Sequence, residues 1–590
     1  MAFDDNTGVA CGHNDEDGNA PGASRTSSVY NCASEEEGIA EGDALFPSSY
    51  KTYSDFISEL TSDAVYEGLV AWGMLGDKLP PVLTSEPFYQ HCIDNSHGYG
   101  CGRRGWITYR YMRNIGRFRE YGIPNPFGYE LLARAIADSW SDIKLLLSDN
   151  TAGHAYKVSR IHPRKQSNDN SIFEMSYKQW WADCDPVPAI LVGKRYAVSC
   201  DISRCFPSIY THAIEWAIVG REAAKAQRKH GRTWAGDIDA KAAATTHGET
   251  HGLLVGPHAS NILAELILTA VDKVLYDKRY RFIRNIDDYT CYTETRDAAE
   301  QFVIDLEREL ARFRLSLNQQ KTRIRTLPHA VTDDWVHTLR GFRFSGSRRL
   351  TYKDVESFLD TAERLVGESG GNQSVLLYAM KMLARKKMTS SARRYYADMA
   401  SHLVCLYPYL VPSFESTVIE AVGMKGDRLG TVARMLYRQS MGCRDYLTAC
   451  CALYYAAKYK FTINAVCAED VIGSDDCLLL LFTLLYAREA NEEDLHAALV
   501  EYAKTLASGG GDETFDRKWL FAYEALSAKL LPQGEWREIK NAGVSFVDYD
   551  KLKEPDFSGE VAAAELDELV NLVRDDHGED DPMTGNVNEL

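Results

Sequence analysis

The chain has 590 residues, 45 % of them hydrophobic and 25 % charged, with a formal net charge of −18. That length holds two or three domains and a large core; no apolar run approaches the ~20 residues that cross a bilayer, and fourteen cysteines without a CxxC pair or a signal-like leader argue against a secreted disulfide framework and for reduced thiols in the cytoplasm. The acidity does not exclude nucleic acid, because residues 1–45 hold one arginine against ten acids and residues 541–590 three basic residues against fourteen, leaving 62 basic and 60 acidic residues between them.

In chain order, residues 1–45 are poor in aromatics and rich in Gly, Asn, Asp and Glu, which predicts a solvated, disordered tail. His91-Cys92, His97 and Cys101 lack a second ligand pair at zinc spacing and read as structural. From Tyr99 to Lys165 the chain is basic and aromatic, RRGWITYRYMRNIGRFREYGIPNP and then KVSRIHPRK, a mixture that suits phosphate neutralisation and base stacking. Trp180-Trp181 read as packing residues. RYAVSCD, ending on Asp201, alternates as a half-buried strand, with Tyr196, Val198, Cys200 and Ile202 on one face.

Gly252 and Gly256-Pro257 open a predicted helix, capped by Ser260, whose stripe is Ile262, Leu263, Leu266, Ile267, Ala270, Val271, Val274 and Leu275. RFIRNIDDYTCY then places Asp287 and Asp288 between two β-prone runs, as at a hairpin tip. Asp297 with Glu300 reads as a capping box for a helix with the stripe Phe302, Leu306, Leu310 and Phe313. Beyond residue 346 the strand signals fade into long helical segments, seven of them between Tyr352 and Ala507, with no strict repeat period. Val561 to Asp576 keeps helical spacing inside the acidic C-terminal tail and predicts a docking helix.

Adjacent carboxylates repel unless a cation neutralises them, although an acidic dipeptide is also an ordinary solvated turn. Two strands delivering Asp201 and Asp287 to one place would suit a pair of Mg²⁺ ions, since Mg²⁺ favours few carboxylates with substrate phosphates completing its shell.

DISRCFPSIYTH, GLLVGPHASNILAELIL, RNIDDYTCY and LSLNQQKTRI resemble motifs A, B, C and D of reverse transcriptases, in order, over about 125 residues. The resemblance implies an α+β right-hand polymerase, with fingers and palm at 46–345, an all-α repeat-like domain at 346–550 in place of an ordinary thumb, and an acidic tail at 551–590. It makes Asp201, Asp287 and Asp288 metal ligands, with the carbonyl of Ile202 an extra one, for Mg²⁺ with Mn²⁺ as alternative. Phe206 matches the steric gate that selects deoxynucleotides, Gly256 the backbone approach to the nucleotide, and Lys321 the lysine that protonates departing pyrophosphate. Arg117, Arg119, Arg160, Arg164 and Lys165 fall in the fingers, where they would grip triphosphate or template.

The VGP form of motif B, the SIYTH segment and GIPNP at Gly122 to Pro126 resemble the defence-associated, abortive-infection and unknown-group reverse transcriptases of bacteria. That lineage implies antiphage DNA synthesis from dNTPs, with a noncoding RNA, a second reverse transcriptase or a homo-oligomer as partner, or with no nucleic-acid template. Asn285 and Leu254-Val255 depart from the common pattern of motifs C and B. The alternatives are a mobile-element polymerase and a silent, polymerase-derived scaffold that binds RNA or protein.

Overall fold

The structure is a computed structural model that describes residues 46, 51–76, 78–95, 98–114, 117–164, 185–227, 233–328, 334–345, 349–372, 374–464, 466–509 and 512–553. The N-terminal tail, His97, Lys165, Trp180-Trp181 and the expected C-terminal docking helix lie outside the described residues.

Two sheets position the site. Trp106–Asn114 (β1) and Arg117–Pro124 (β2) form an antiparallel hairpin at the place expected for the fingers. Tyr196–Asp201 (β3), Arg281–Asn285 (β4), Asp288–Thr293 (β5) and Arg323–Thr326 (β6) form a four-stranded sheet in the order β4-β5-β3-β6. The alternation read from β3 holds in its middle, where Val198, Cys200 and Ile202 are buried with Phe282, Tyr289 and Cys291 in one core and Ser199 is half-buried; at the ends Tyr196 is only half-buried and Asp201 is itself buried. Phe302, Leu306 and Leu310 are buried on the helix Arg296–Arg312, which packs on β3 and β5, and Phe313, the residue that ends the helix, is buried with them.

Three local expectations are corrected. The helix His258–Asp277 begins after Pro257, whose extended backbone makes it the N-cap, so Ser260 is buried in the first turn and does not cap. Thr295, not Asp297, caps the next helix, its hydroxyl accepting from the Ala298 amide at 3.2 Å. The helix His258–Asp277 also buries far more than a stripe: Glu265, Thr269 and Asp272 are as enclosed as Leu266, while Ala270 and Val274 are only half-buried.

A further helix, Pro126–Asp138, starts at Asn125-Pro126, where the Asn125 side chain accepts from the amides of Phe127 and Gly128 and Pro126 occupies the first helical position. Both are ordinary helix-start devices.

All seven helical segments expected after residue 346 are present, from Tyr352–Glu368 to Glu493–Gly509. Successive helices pack pairwise, and Tyr446–Tyr459 and Cys477–Glu489 are buried on nearly every side. Tyr396, Tyr454 and Tyr455 are core; Tyr396 donates to the Thr417 carbonyl at 3.0 Å and Tyr454 to Glu415. This helical region closes back on the fingers. Asp516 accepts from the Gly105 amide at 2.6 Å and from Asn125 at 2.8 Å, Glu535 holds Arg104 at 2.6 Å, and Tyr111 donates to the Tyr409 carbonyl at 2.8 Å. The described residues from Phe46 to Lys553 accordingly belong to a single compact unit.

Candidate active site

Asp201 ends β3 and stands directly opposite Asp288 in the β3–β5 ladder. Like charges facing each other across an antiparallel pair are destabilising, so this register favours a cation nearby. Ile286 and Asp287 form the two-residue loop between β4 and β5, with positive φ (+58°) at Ile286. Positive φ at the first loop position alone fits a type II′ hairpin, and a β-branched residue there is strained. The strand β4 thus ends before the acids: Asp287 sits in the turn, and Asp288, exposed, begins β5.

Backbone bonds fix these segments to one another. The Ile202 amide donates to the Asp287 carbonyl at 3.2 Å, and the Asn318 amide to the Asp201 carbonyl at 2.7 Å. Asn318 in turn accepts at its carbonyl from the amides of Lys321 and Thr322, which brings Lys321 over the end of β3. Its Nζ lies 2.8 and 2.7 Å from the two Asp201 oxygens. Burial, then the charge of Asp201, raises the Asp287 carboxyl above its usual range.

Asp201, Asp287 and Lys321 line a cleft of about 780 Å³. Its opposite wall is the fingers hairpin, including Arg119, whose guanidinium lies 5.7 Å from the Tyr121 ring centre, and Arg110, paired with Glu120 at 3.0 Å. Arg204, in the left-handed conformation just after β3, adds a third arginine. Arg110 and Arg204 do not stand out in the motif pattern, and only their closeness to Arg119 and Asp201 in sequence hints at them.

The remaining edge is the glycine-rich loop before His258–Asp277. Gly252 has φ +97°, and a Cβ there would lie 3.3 Å from the Pro207 carbonyl; at Gly256, with φ +124°, it would lie 3.4 Å from the Gly122 carbonyl. The Val255 carbonyl accepts from the Gly122 amide at 2.9 Å, and Leu254 packs where a Gly122 side chain would be. The apolar pair Leu254-Val255 therefore docks the fingers on the palm.

Not every expected residue reaches the cleft. Arg160 and Arg164 are both buried and do not line the cleft; the Arg160 amide donates to the Arg284 carbonyl of β4 at 2.8 Å. Phe206 is 8 % exposed and belongs to the core, while its neighbours Cys205 and Pro207 form the cleft wall. Arg117 opens β2.

The residues present fit a divalent cation. Among the described residues no three acids, histidines or cysteines form a closed cage. Two carboxylates beside an open cleft are the donor set Mg²⁺ takes when substrate phosphates supply the rest.

Residues 162–353 match the family model for "Reverse transcriptase (RNA-dependent DNA polymerase)". The chain contains a reverse transcriptase domain. All four motif segments lie inside the match, and the fold is that of a right-hand polymerase followed by a helix-rich region. Reverse transcriptase domains of this family generally use divalent metals for RNA-directed DNA synthesis. Among solved structures, apo telomerase from Candida tropicalis is similar at 12 % identity, over 74 % of this chain and 71 % of that one, with a TM-score of 0.28. Telomerase from the same organism in complex with a TWJ fragment of telomeric RNA is similar at 10 % identity, over 64 % and 65 %, with a TM-score of 0.27. No curated protein matches the chain. Among the described residues no helix is long and apolar enough to cross a membrane.

Proposed function

We propose that this chain polymerises deoxynucleotides into DNA by attack of a 3′-hydroxyl on the α-phosphate of a dNTP. The observation that carries the reading is the convergence of Asp201, Asp287 and Lys321 on one wall of a cleft whose other wall bears Arg119. Asp201 and Asp287, with the Ile202 carbonyl, would hold Mg²⁺, or Mn²⁺ in its place, and Asp288 flanks them. Two such ions, when bound, activate the attacking hydroxyl and neutralise charge on the leaving pyrophosphate.

The protein's part is positioning and electrostatics. Arg119 and Arg110 on the fingers hairpin and Arg204 just after Asp201 line the same cleft and would hold the triphosphate. Gly252 and Gly256 let bare backbone approach the base pair. Lys321, whose Nζ sits on both Asp201 oxygens, would yield that carboxylate to a bound cation and would stand within the cleft to give a proton to pyrophosphate. Deoxynucleotide selection by Phe206 belongs to the same reading, acting from the core through the surface of Cys205 and Pro207.

The motif resemblance to defence-associated enzymes supports an antiphage role in the bacterial cytoplasm, with a noncoding RNA or second polymerase as partner. The test is incorporation of each labelled dNTP, singly and mixed, with and without copurifying RNA, followed by product sequencing. Product complementary to a bound RNA supports templated synthesis, and RNase-resistant low-complexity product supports template-free synthesis. Failure to incorporate any dNTP with native RNA and partners present would overturn the proposal.

A further inference from the structure

The helical region carries a second groove, of about 470 Å³, that shares no residue with the catalytic cleft. One side is the start of the helix Ser390–Leu406, with Ser390, Arg393 and Arg394; the other is the segment Val422–Lys425, with Arg428 behind it. No carboxylate is among the lining residues. Arg393, Arg394 and Lys425 are exposed, and Arg428 pairs with Asp398 while donating to the Arg394 carbonyl at 3.0 Å.

The chain leading into this groove concentrates the charge. Ala384 to Arg394 reads ARKKMTSSARR, five cations and three hydroxyls without an acid, in a protein of net charge −18. Its backbone is pinned: the Leu350 amide donates to the Lys387 carbonyl at 2.8 Å, the Thr389 amide to the Leu350 carbonyl at 3.0 Å, and Met388 is buried. The cations therefore stand on a fixed frame and do not decorate a loose loop.

Arginine, lysine and serine or threonine hydroxyls are the groups proteins use to contact phosphate oxygens. A single strand would also need aromatic platforms for its unstacked bases, and the groove lining contains none. We infer that this groove binds the phosphate backbone of a double-stranded nucleic acid, independently of base sequence and apart from the catalytic cleft. The inference rests on surface charge and stands whether or not Asp201 and Asp287 catalyse.

The test is equilibrium binding by the full chain, in EDTA without dNTPs, of 20-mer RNA duplex, DNA duplex and their single strands across a salt series. Arg393→Gln with Arg394→Gln and Lys425→Gln is expected to weaken duplex binding at least tenfold. It should also flatten log K against log salt by about 2 to 3, at ~0.9 for each phosphate no longer neutralised. The duplex whose binding falls further identifies RNA or DNA as the natural source. Arg393→Lys with Arg394→Lys should retain binding, because backbone recognition reads charge. Unchanged duplex affinity and salt slope in the glutamine variant would overturn the inference, as would an equal fall in the lysine variant or a greater fall for single strands than for duplexes.

Discussion

The guanidinium of Arg284 donates to the carbonyl of Ile286 at 2.9 Å, from a side chain with no solvent exposure. The same group is held by Asp272, at 2.8 and 2.7 Å from Nε and Nη2, and by Glu265 at 2.9 Å, which also accepts from the Tyr53 hydroxyl at 3.0 Å. Burial opposes the charge on Arg284, but Asp272 and Glu265 outweigh it and hold its pKa well above the usual value. A buried ion network in the helix His258–Asp277 is thus tied to the strained residue that sets the position of Asp287.

Removing one member of such a network leaves charges buried and unpaired. Arg284→Met is expected to cost about 3–5 kcal/mol of stability, read by denaturant unfolding of the full chain. Arg284→Lys keeps the charge but loses the fork, so it should lower the incorporation rate more than it lowers stability. Equal stability of Arg284→Met and wild type would show that the network carries no folding energy.

Lys321 occupies both oxygens of Asp201 although its own side chain is 61 % exposed. A partly solvated pair of this kind is worth roughly 1 kcal/mol or less. Lys321→Met should therefore lower the Mg²⁺ concentration for half-maximal incorporation by up to about fivefold, while lowering the maximal rate because the proton donor is gone. A metal titration of initial rates reads both effects, and an unchanged midpoint contradicts the competition.

Asp354 joins the palm to the helical region. It accepts from the amide and hydroxyl of Ser345, both at 2.8 Å, and from the amide and hydroxyl of Thr351 at 2.8 and 2.7 Å. Burial raises this carboxyl, but those four bonds outweigh it and bring its pKa down to about 2 from 3.8. A depressed folded pKa gives stability that is present above about pH 4 and lost as pH falls towards 2. Asp354→Asn should be less stable than wild type by about 1–2 kcal/mol at neutral pH, the gap closing between pH 4 and 2 in unfolding curves. A gap independent of pH would assign the loss to packing.

The sheet and its acids were legible because β3 alternates cleanly and because two β-prone runs flank Asp287 and Asp288. The long helices after residue 346 were legible from apolar spacing alone. Arg284 was not: an arginine in a strand reads as solvent-facing, and its partners Glu265 and Asp272 lie 19 and 12 residues upstream among apolar neighbours. Seven residues apart on one helix, those acids share a face, and that spacing inside a buried helix was the available signal.

The burial of Arg160 and Arg164 was not legible from charge, because sequence does not say which basic residues of a basic, aromatic segment turn inward. The caps were missed by two or three residues, at Ser260 for Pro257 and at Asp297 for Thr295. Both errors came from reading side-chain chemistry without the backbone angle that defines a helix start. The docking of Leu254-Val255 on Gly122 was invisible for another reason: it joins segments more than a hundred residues apart.

The most direct measurement is dNTP incorporation with Mg²⁺, comparing wild type with Asp201→Asn and Asp287→Asn, each checked for an unchanged fold by circular dichroism. Wild type should incorporate dNTPs, and each variant should lose activity by about a thousandfold or more, as expected when charge stabilisation at the reacting phosphate is removed. Comparable incorporation by wild type and either folded variant would contradict catalysis by Asp201 and Asp287.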